Sequence, residues 1–197
     1  EWAARASRGR LTGDSACHDD PMFADGHCWL GQVGAAQGHL RNQQVRPGDV
    51  FLFFGLFADP VTGERHHRIF GYMQVACAGA PQDVRHDPNW REPPRLHPHL
   101  SGSWHANNTI WFGRGQTARH ASEALRLTII GERRWSRWQV PDWLSRRRPS
   151  YLKGDWRWLD RRTLDARGVW QEAVCDIGRA RQPRRWLDAV IAEIGRV

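Results

Sequence analysis

Val50-Phe51-Leu52-Phe53-Phe54 is an unbroken run of β-branched and aromatic residues, and the reading of the chain turns on it. The run is too short for a helix and suits a strand with both faces covered. Arg46-Pro47-Gly48-Asp49 directly before it supplies a turn, because proline presets φ and glycine permits the reversal. A polar loop, residues 59–65, leads to a second strand over 68–75, so the pair predicts an antiparallel hairpin with a long connection. Further strands are predicted over 109–112, 125–130 and 169–175. Helices are predicted on either side of these strands. One covers 34–43, with Val33, Ala36 and Leu40 on one face; the other runs from Pro183 to Ile194, striped by Trp186, Leu187, Val190, Ile191 and Ile194. Residues 1–28 read as loop, and the proline-rich stretch 80–106 as irregular. The class is therefore α+β, with a core that is a mixed or antiparallel sheet or a small, partly closed barrel.

Composition fits a single folded domain: 197 residues, 40% hydrophobic and 25% charged. No apolar run approaches the ~20 residues of a membrane helix, which predicts a soluble protein. The chain starts at Glu1 rather than Met and no signal peptide follows, which predicts a natural N-terminus further upstream. Four scattered cysteines (Cys17, Cys28, Cys77, Cys175) without a CxxC pair fit a reducing cytoplasm and disfavour a cysteine zinc site.

The net charge of +8 is unevenly placed. Residues 1–113 carry 10 Arg against 11 acidic residues, net −1, whereas 114–197 carry 19 basic against 10 acidic, net +9. A GC-rich genome accounts for the preference of Arg over Lys, with Lys153 the sole lysine, but not for the asymmetry. The asymmetry points to a polyanionic partner, nucleic acid or nucleotide.

Four constellations could carry chemistry. Cys17-His18-Asp19-Asp20, with His27-Cys28, offers metal ligands or acid–base groups, and equally a capped turn. Gly31 to His39 is rich in small residues; Gln32, Gln37 and His39 could line a base pocket, or the run could pack a helix closely on the sheet. His97-Pro98-His99, followed by His105 and Asn107-Asn108, offers a catalytic or ligand-binding group, to which no metal is assigned. Arg133-Arg134-Trp135-Ser136-Arg137-Trp138 interleaves guanidinium groups for phosphate with aromatic faces for unstacked bases, though some of these tryptophans belong to the core. Walker, GxSxG, HExxH and kinase motifs are lacking, which disfavours the common hydrolases and kinases.

Taken in order, Cys17-His18-Asp19-Asp20-Pro21, Gly31-Gln32 with Ala35-Ala36-Gln37-Gly38-His39-Leu40, Gly48 to Gly55, Ile69 to Val75, His97-Pro98-His99, Asn107-Asn108-Thr109-Ile110, Ser136-Arg137-Trp138 and Gln171-Glu172 resemble the nucleotide modification associated domain 3 family. The resemblance implies a bacterial or phage protein linked to DNA base modification. Family members usually begin with an extra strand and a Ser-Arg-Lys-Gly-like stretch, which this sequence lacks. Residues 34–75 are also similar to PUA-like barrels of the ASCH and EVE kind, which hold modified bases or RNA.

The resulting expectation is a base- or nucleotide-binding domain that takes part in DNA base modification. His97 or His99 would be its acid–base group, Asp19 or Glu172 the partner carboxylate. Gln32, Gln37, His39, Asn107 and Asn108 would bind the base, and Arg133, Arg134 and Arg137 the phosphates. The alternatives are a non-catalytic reader of modified bases and a metal-dependent enzyme that uses Cys17, His18 and the two histidines of the HxH pair.

Overall fold

A computed structural model describes residues 18–168 and 172–196, together with Ala4, Gly9 and Thr12. Strands β1 (Met22–Ala24) and β2 (His27–Gln32) lead into helix α1 (Gly34–Asn42), followed by the long strands β3 (Val50–Ala58) and β4 (Arg65–Gly79). After the short helix α2 (Pro81–Val84) and a 3-10 turn at Pro98–Leu100 comes β5 (Thr109–Thr117). The later part holds β6 (Arg137–Gln139), α3 (Trp143–Arg146), β7 (Thr163–Asp165) and the closing helix α4 (Arg181–Ile194).

Five strands form one antiparallel sheet in the order β1-β2-β5-β4-β3, and β6 pairs with β7 in a small second sheet. The fold is α+β. Edge strands β1 and β3 do not meet, so the main sheet is open and the barrel alternative does not hold.

Side-chain alternation divides the main sheet into two faces. Met22, Trp29, Ile110, Phe112 and Cys77 lie on one, packed with Val84 of α2. Cys28, Leu30, Trp111, Met73 and Val75 lie on the other, covered by Leu40 of α1. Apolar Val190 and Ile194 of α4 pack on Ile69 and Leu125, and the second sheet has its own core of Trp138, Val140, Leu152, Leu164 and Ala166.

Several sequence expectations need correction. The run at 50–54 is a strand, but an edge strand that is only partly covered. Its aromatic residues shield neighbours sideways: Phe53 meets Phe23 edge-on, and Phe54 meets Trp138. Residues 1–28 are not all loop, because β1 and the start of β2 form a hairpin over Asp25-Gly26, both with positive φ (49° and 74°). Residues 125–130 form no strand. They divide their pairing between β4 and β6, leaving only isolated bridges at Arg126 and Thr128. Of the strand predicted over 169–175, the first three residues lie outside the described part, and residues 172–175 have no strand pairing.

Candidate functional site

Strand register builds the site. In the β1–β2 ladder Met22 lies opposite Trp29, and continuing that register past the end of β1 sets Asp20 opposite Gly31. The Gly31 N–H, which β1 no longer reaches, donates to Asp20 Oδ1 at 3.0 Å. The Asp20 side chain is thereby held almost out of solvent, at 7% exposure.

The HxH segment closes over this carboxylate. Pro98 starts the 3-10 turn, and the His99 N–H donates to His97 Nδ1 at 3.2 Å. His97 Nε2 lies 3.5 Å from Asp20 Oδ1, and His99 Nε2 lies 3.5 Å from Asp20 Oδ2. Both rings are buried. Space for His99 exists because residue 31 is glycine: a Cβ there would fall 2.2 Å from His99 Cγ. Gly31 is thus required for close approach rather than for an unusual φ.

Hydrogen bonds fix the tautomers. Asn108 Nδ2 donates to the His99 carbonyl at 2.9 Å, so its Oδ1 is the atom 2.7 Å from His99 Nδ1. His99 Nδ1 therefore carries the proton, and its Nε2 presents a lone pair to Asp20. His97 is the reverse: Nδ1 accepts, so Nε2 carries a proton, and among the described residues it has no hydrogen-bond partner. Burial holds the His99 imidazole below its ordinary pKa, against the opposing influence of Asn108 and Asp20. His99 is the neutral ring with a lone pair on offer, and His97 is a donor.

The cluster opens towards solvent through two further rings. Trp104 stacks on His99 with ring centroids 4.0 Å apart and remains 39% exposed. His18, itself exposed, lies 5.4 Å from His99 and 5.9 Å from Trp104. Ligand atoms of His18, Asp20 and His99 all lie within 4.8 Å of one another, a spacing that suits proton transfer or a metal ion.

A model of the nucleotide modification associated domain 3 family matches residues 1–176. The chain belongs to that family. Comparison with curated proteins and with solved structures finds no match.

In this nucleotide modification associated domain the remaining predicted residues are dispersed. Asp19 is not the carboxylate at the histidines; it pairs with Arg95, and its neighbour Asp20 takes that place. Asn107 clamps the start of α1, accepting from the Gly34 N–H and donating to the Gly34 carbonyl. Gln32 points to the other face of the sheet, where its amide donates to Glu172 Oε1 at 2.7 Å. Gln37 accepts from the Trp111 indole, and His39 bonds Ser150 Oγ under Tyr151. Gln37 thus ties α1 to the sheet, while His39 ties α1 to Ser150 and Gln32 ties the sheet to Glu172.

The arginines lie further off. Arg137 pairs with Glu132, and Arg133 and Arg134 are exposed on the turn whose Trp135 packs against His67. Gly31 aligns through Ile110 with Gly79, twelve residues along β4 from His67. At ~3.3 Å per residue the two ends are on the order of 35–40 Å apart. The guanidinium groups therefore do not rim the histidine cluster. Cys17 lies outside the described residues.

Sequence reasoning held Asp20 within the Cys17–Asp20 cluster but named Asp19 as the partner carboxylate, and it missed Trp104 and the close approach at Gly31. The Asp25-Gly26 dipeptide was the available signal: read as a hairpin turn, it defines β1 and hence the residue opposite Gly31.

Proposed function

We propose that this domain binds a nucleotide or an extruded base against Trp104, and that Asp20 and His99 are the reactive groups in its modification. The observation that carries the reading is a buried carboxylate facing an imidazole lone pair, directly beside a partly exposed indole. A base stacks on any aromatic face, and an exposed tryptophan gives it ~1–3 kcal/mol. A reader of bases needs aromatic walls and amides alone; a desolvated carboxylate–histidine pair goes beyond that need and favours chemistry.

Three roles follow. His99 works on the base through Nε2, with Asn108 holding its tautomer. Asp20 opposes it, and His97 secures the carboxylate from the other side. Gln32, Gln37, His39 and Glu172, each with one polar atom bonded to a neighbouring protein group, serve as scaffold. The arginine-rich second half attracts a polymer: 35–40 Å corresponds to roughly ten nucleotide steps at about 3.4 Å each along a duplex strand. Arg133 and Arg134 would then touch phosphates remote from the base being modified.

The test is mass spectrometry of nucleosides from DNA of cells with and without the gene, alongside binding of mononucleotides and labelled single strands to the purified chain. A changed nucleoside that disappears in a folded His99→Ala variant supports the reading. Unchanged nucleosides together with nucleotide binding that ignores Trp104→Ala would overturn it.

A further inference from the structure

We propose that His18, Asp20 and His99 form a binding site for a divalent transition-metal ion. The inference rests on the functional reading of the same cluster and deepens it: with the ion in place, Asp20 and His99 act on the base through the metal rather than by direct contact of Nε2. Metal binding can be measured without any nucleotide.

The geometry of one pair carries it. With Nδ1–H donated to Asn108, the His99 Nε2 lone pair faces an oxygen of the Asp20 carboxylate. Two acceptors that face each other repel unless something positive lies between them. A shared proton would draw the atoms to about 2.7–2.9 Å, the length of a charge-assisted hydrogen bond. They stand 3.5 Å apart. Two ligand atoms each ~2.1 Å from a tetrahedral ion are separated by about 3.4 Å, so the observed gap has the width of an ion's coordination edge.

The surroundings agree. Asp20 Oδ1 takes the Gly31 N–H and faces His97, which leaves Oδ2 as the ligand oxygen. Metal-bound imidazoles usually donate their second N–H to a fixed acceptor, the part Asn108 plays for His99. His97 adds an independent sign: a fully buried ring whose Nε2, among the described residues, has no hydrogen-bond partner and points at the carboxylate. It is a positioning residue, because its proton sits on the nitrogen that a metal would need. His18 is exposed and completes the set from the solvent side, its ligand atom within 4.8 Å of the others.

Two imidazoles and one carboxylate suit Zn²⁺, Fe²⁺ or Mn²⁺ and are a poor match for Mg²⁺ or Ca²⁺, which prefer oxygen. Three protein ligands leave positions open towards Trp104, as in metal sites that act on a substrate.

The experiment uses the whole untagged chain, stripped with chelator and titrated calorimetrically with Zn²⁺, Mn²⁺ and, without air, Fe²⁺. Expected is one equivalent of at least one ion, with affinity lowered in Asp20→Asn and His99→Ala by at least the ~10–100-fold that losing a ligand's supporting partner costs. His120→Ala, at an exposed histidine, should change nothing. Circular dichroism in chelator checks that each variant is folded. His97→Gln should still bind but alter the visible spectrum of the Co²⁺-loaded protein, which a merely structural role would leave alone. Folded wild type that takes up none of the ions, or equal affinity in Asp20→Asn and His99→Ala, overturns the inference. Metal bound without any nucleotide binding would instead sink the functional reading alone.

Discussion

Buried or half-buried histidines stand at both ends of the main sheet, and the two ends use His99 and His67 in opposite ways. At the Gly31 end, His97 and His99 face the carboxylate of Asp20 beneath a partly exposed Trp104. At the far end, His67 Nδ1 accepts from the Trp138 indole at 2.8 Å, and Phe54, Trp135 and Trp138 enclose the ring edge-on. Among the described residues His67 has no carboxylate partner there, and its imidazole acts as an acceptor within an aromatic core. Burial lowers the pKa of both His67 and His99, so desolvation alone does not separate them. What separates them is a charge within reach and a route to solvent. A histidine becomes a candidate reactive group when its lone pair has a charged neighbour and an opening, and structural cement when an indole consumes it.

The sharpest way to break this contrast is to remove one histidine from each end. His99→Ala should cost ~100-fold or more in base modification, the range for loss of a positioned acid–base group, with little loss of stability. His67→Gln should leave modification unchanged. Equal losses of activity in the two variants would abolish the distinction.

Gly31→Ala tests the close approach. The added methyl must displace the His99 ring, which should cost about 1–3 kcal/mol in urea unfolding and abolish modification. Near-wild-type values in both would show that the ring tolerates a shift. Trp104→Ala should weaken nucleotide binding ~5–100-fold while leaving the urea midpoint in place, as read by fluorescence titration.

The far end has a pH signature. His67 has a folded pKa below its unfolded value, so the unfolded chain binds the proton more readily. Stability is complete above about pH 6.5 and falls as pH drops below it. Urea melts at pH 7.5 and 5 should show a smaller drop in His67→Gln than in wild type. The smallest effect belongs to the basic turn: Arg133→Ala with Arg134→Ala should flatten the salt dependence of polymer binding by about two contacts and spare mononucleotides. Loss of mononucleotide binding in that double variant would mean that the two ends act at one site.

Much of the architecture was legible in the residues. The Pro47-Gly48 turn, the hairpin that follows it, α1 and the stripe of α4 all follow from local rules, because proline, glycine and apolar spacing act within a few positions. Residues 125–130 were not legible, since their pairing with β4 and β6 depends on partners far along the chain. The resemblance to nucleotide modification associated domain 3 rested on ordered motifs over most of the chain, and the family match covers 1–176.

The site divides along the same line. The residues alone determined that histidines, amides and carboxylates are present, and that excess positive charge is confined to the second half. Whether these groups meet was decided by register and by which face of the sheet each side chain takes. A one-residue step along a strand sends a side chain to the opposite face, and so Gly31 makes room for His99 while Gln32 is turned away towards Glu172. The same ladder places Asp20, rather than the adjacent and chemically identical Asp19, against the imidazoles. Composition cannot encode that choice, because it is made by the long-range pairing of strands.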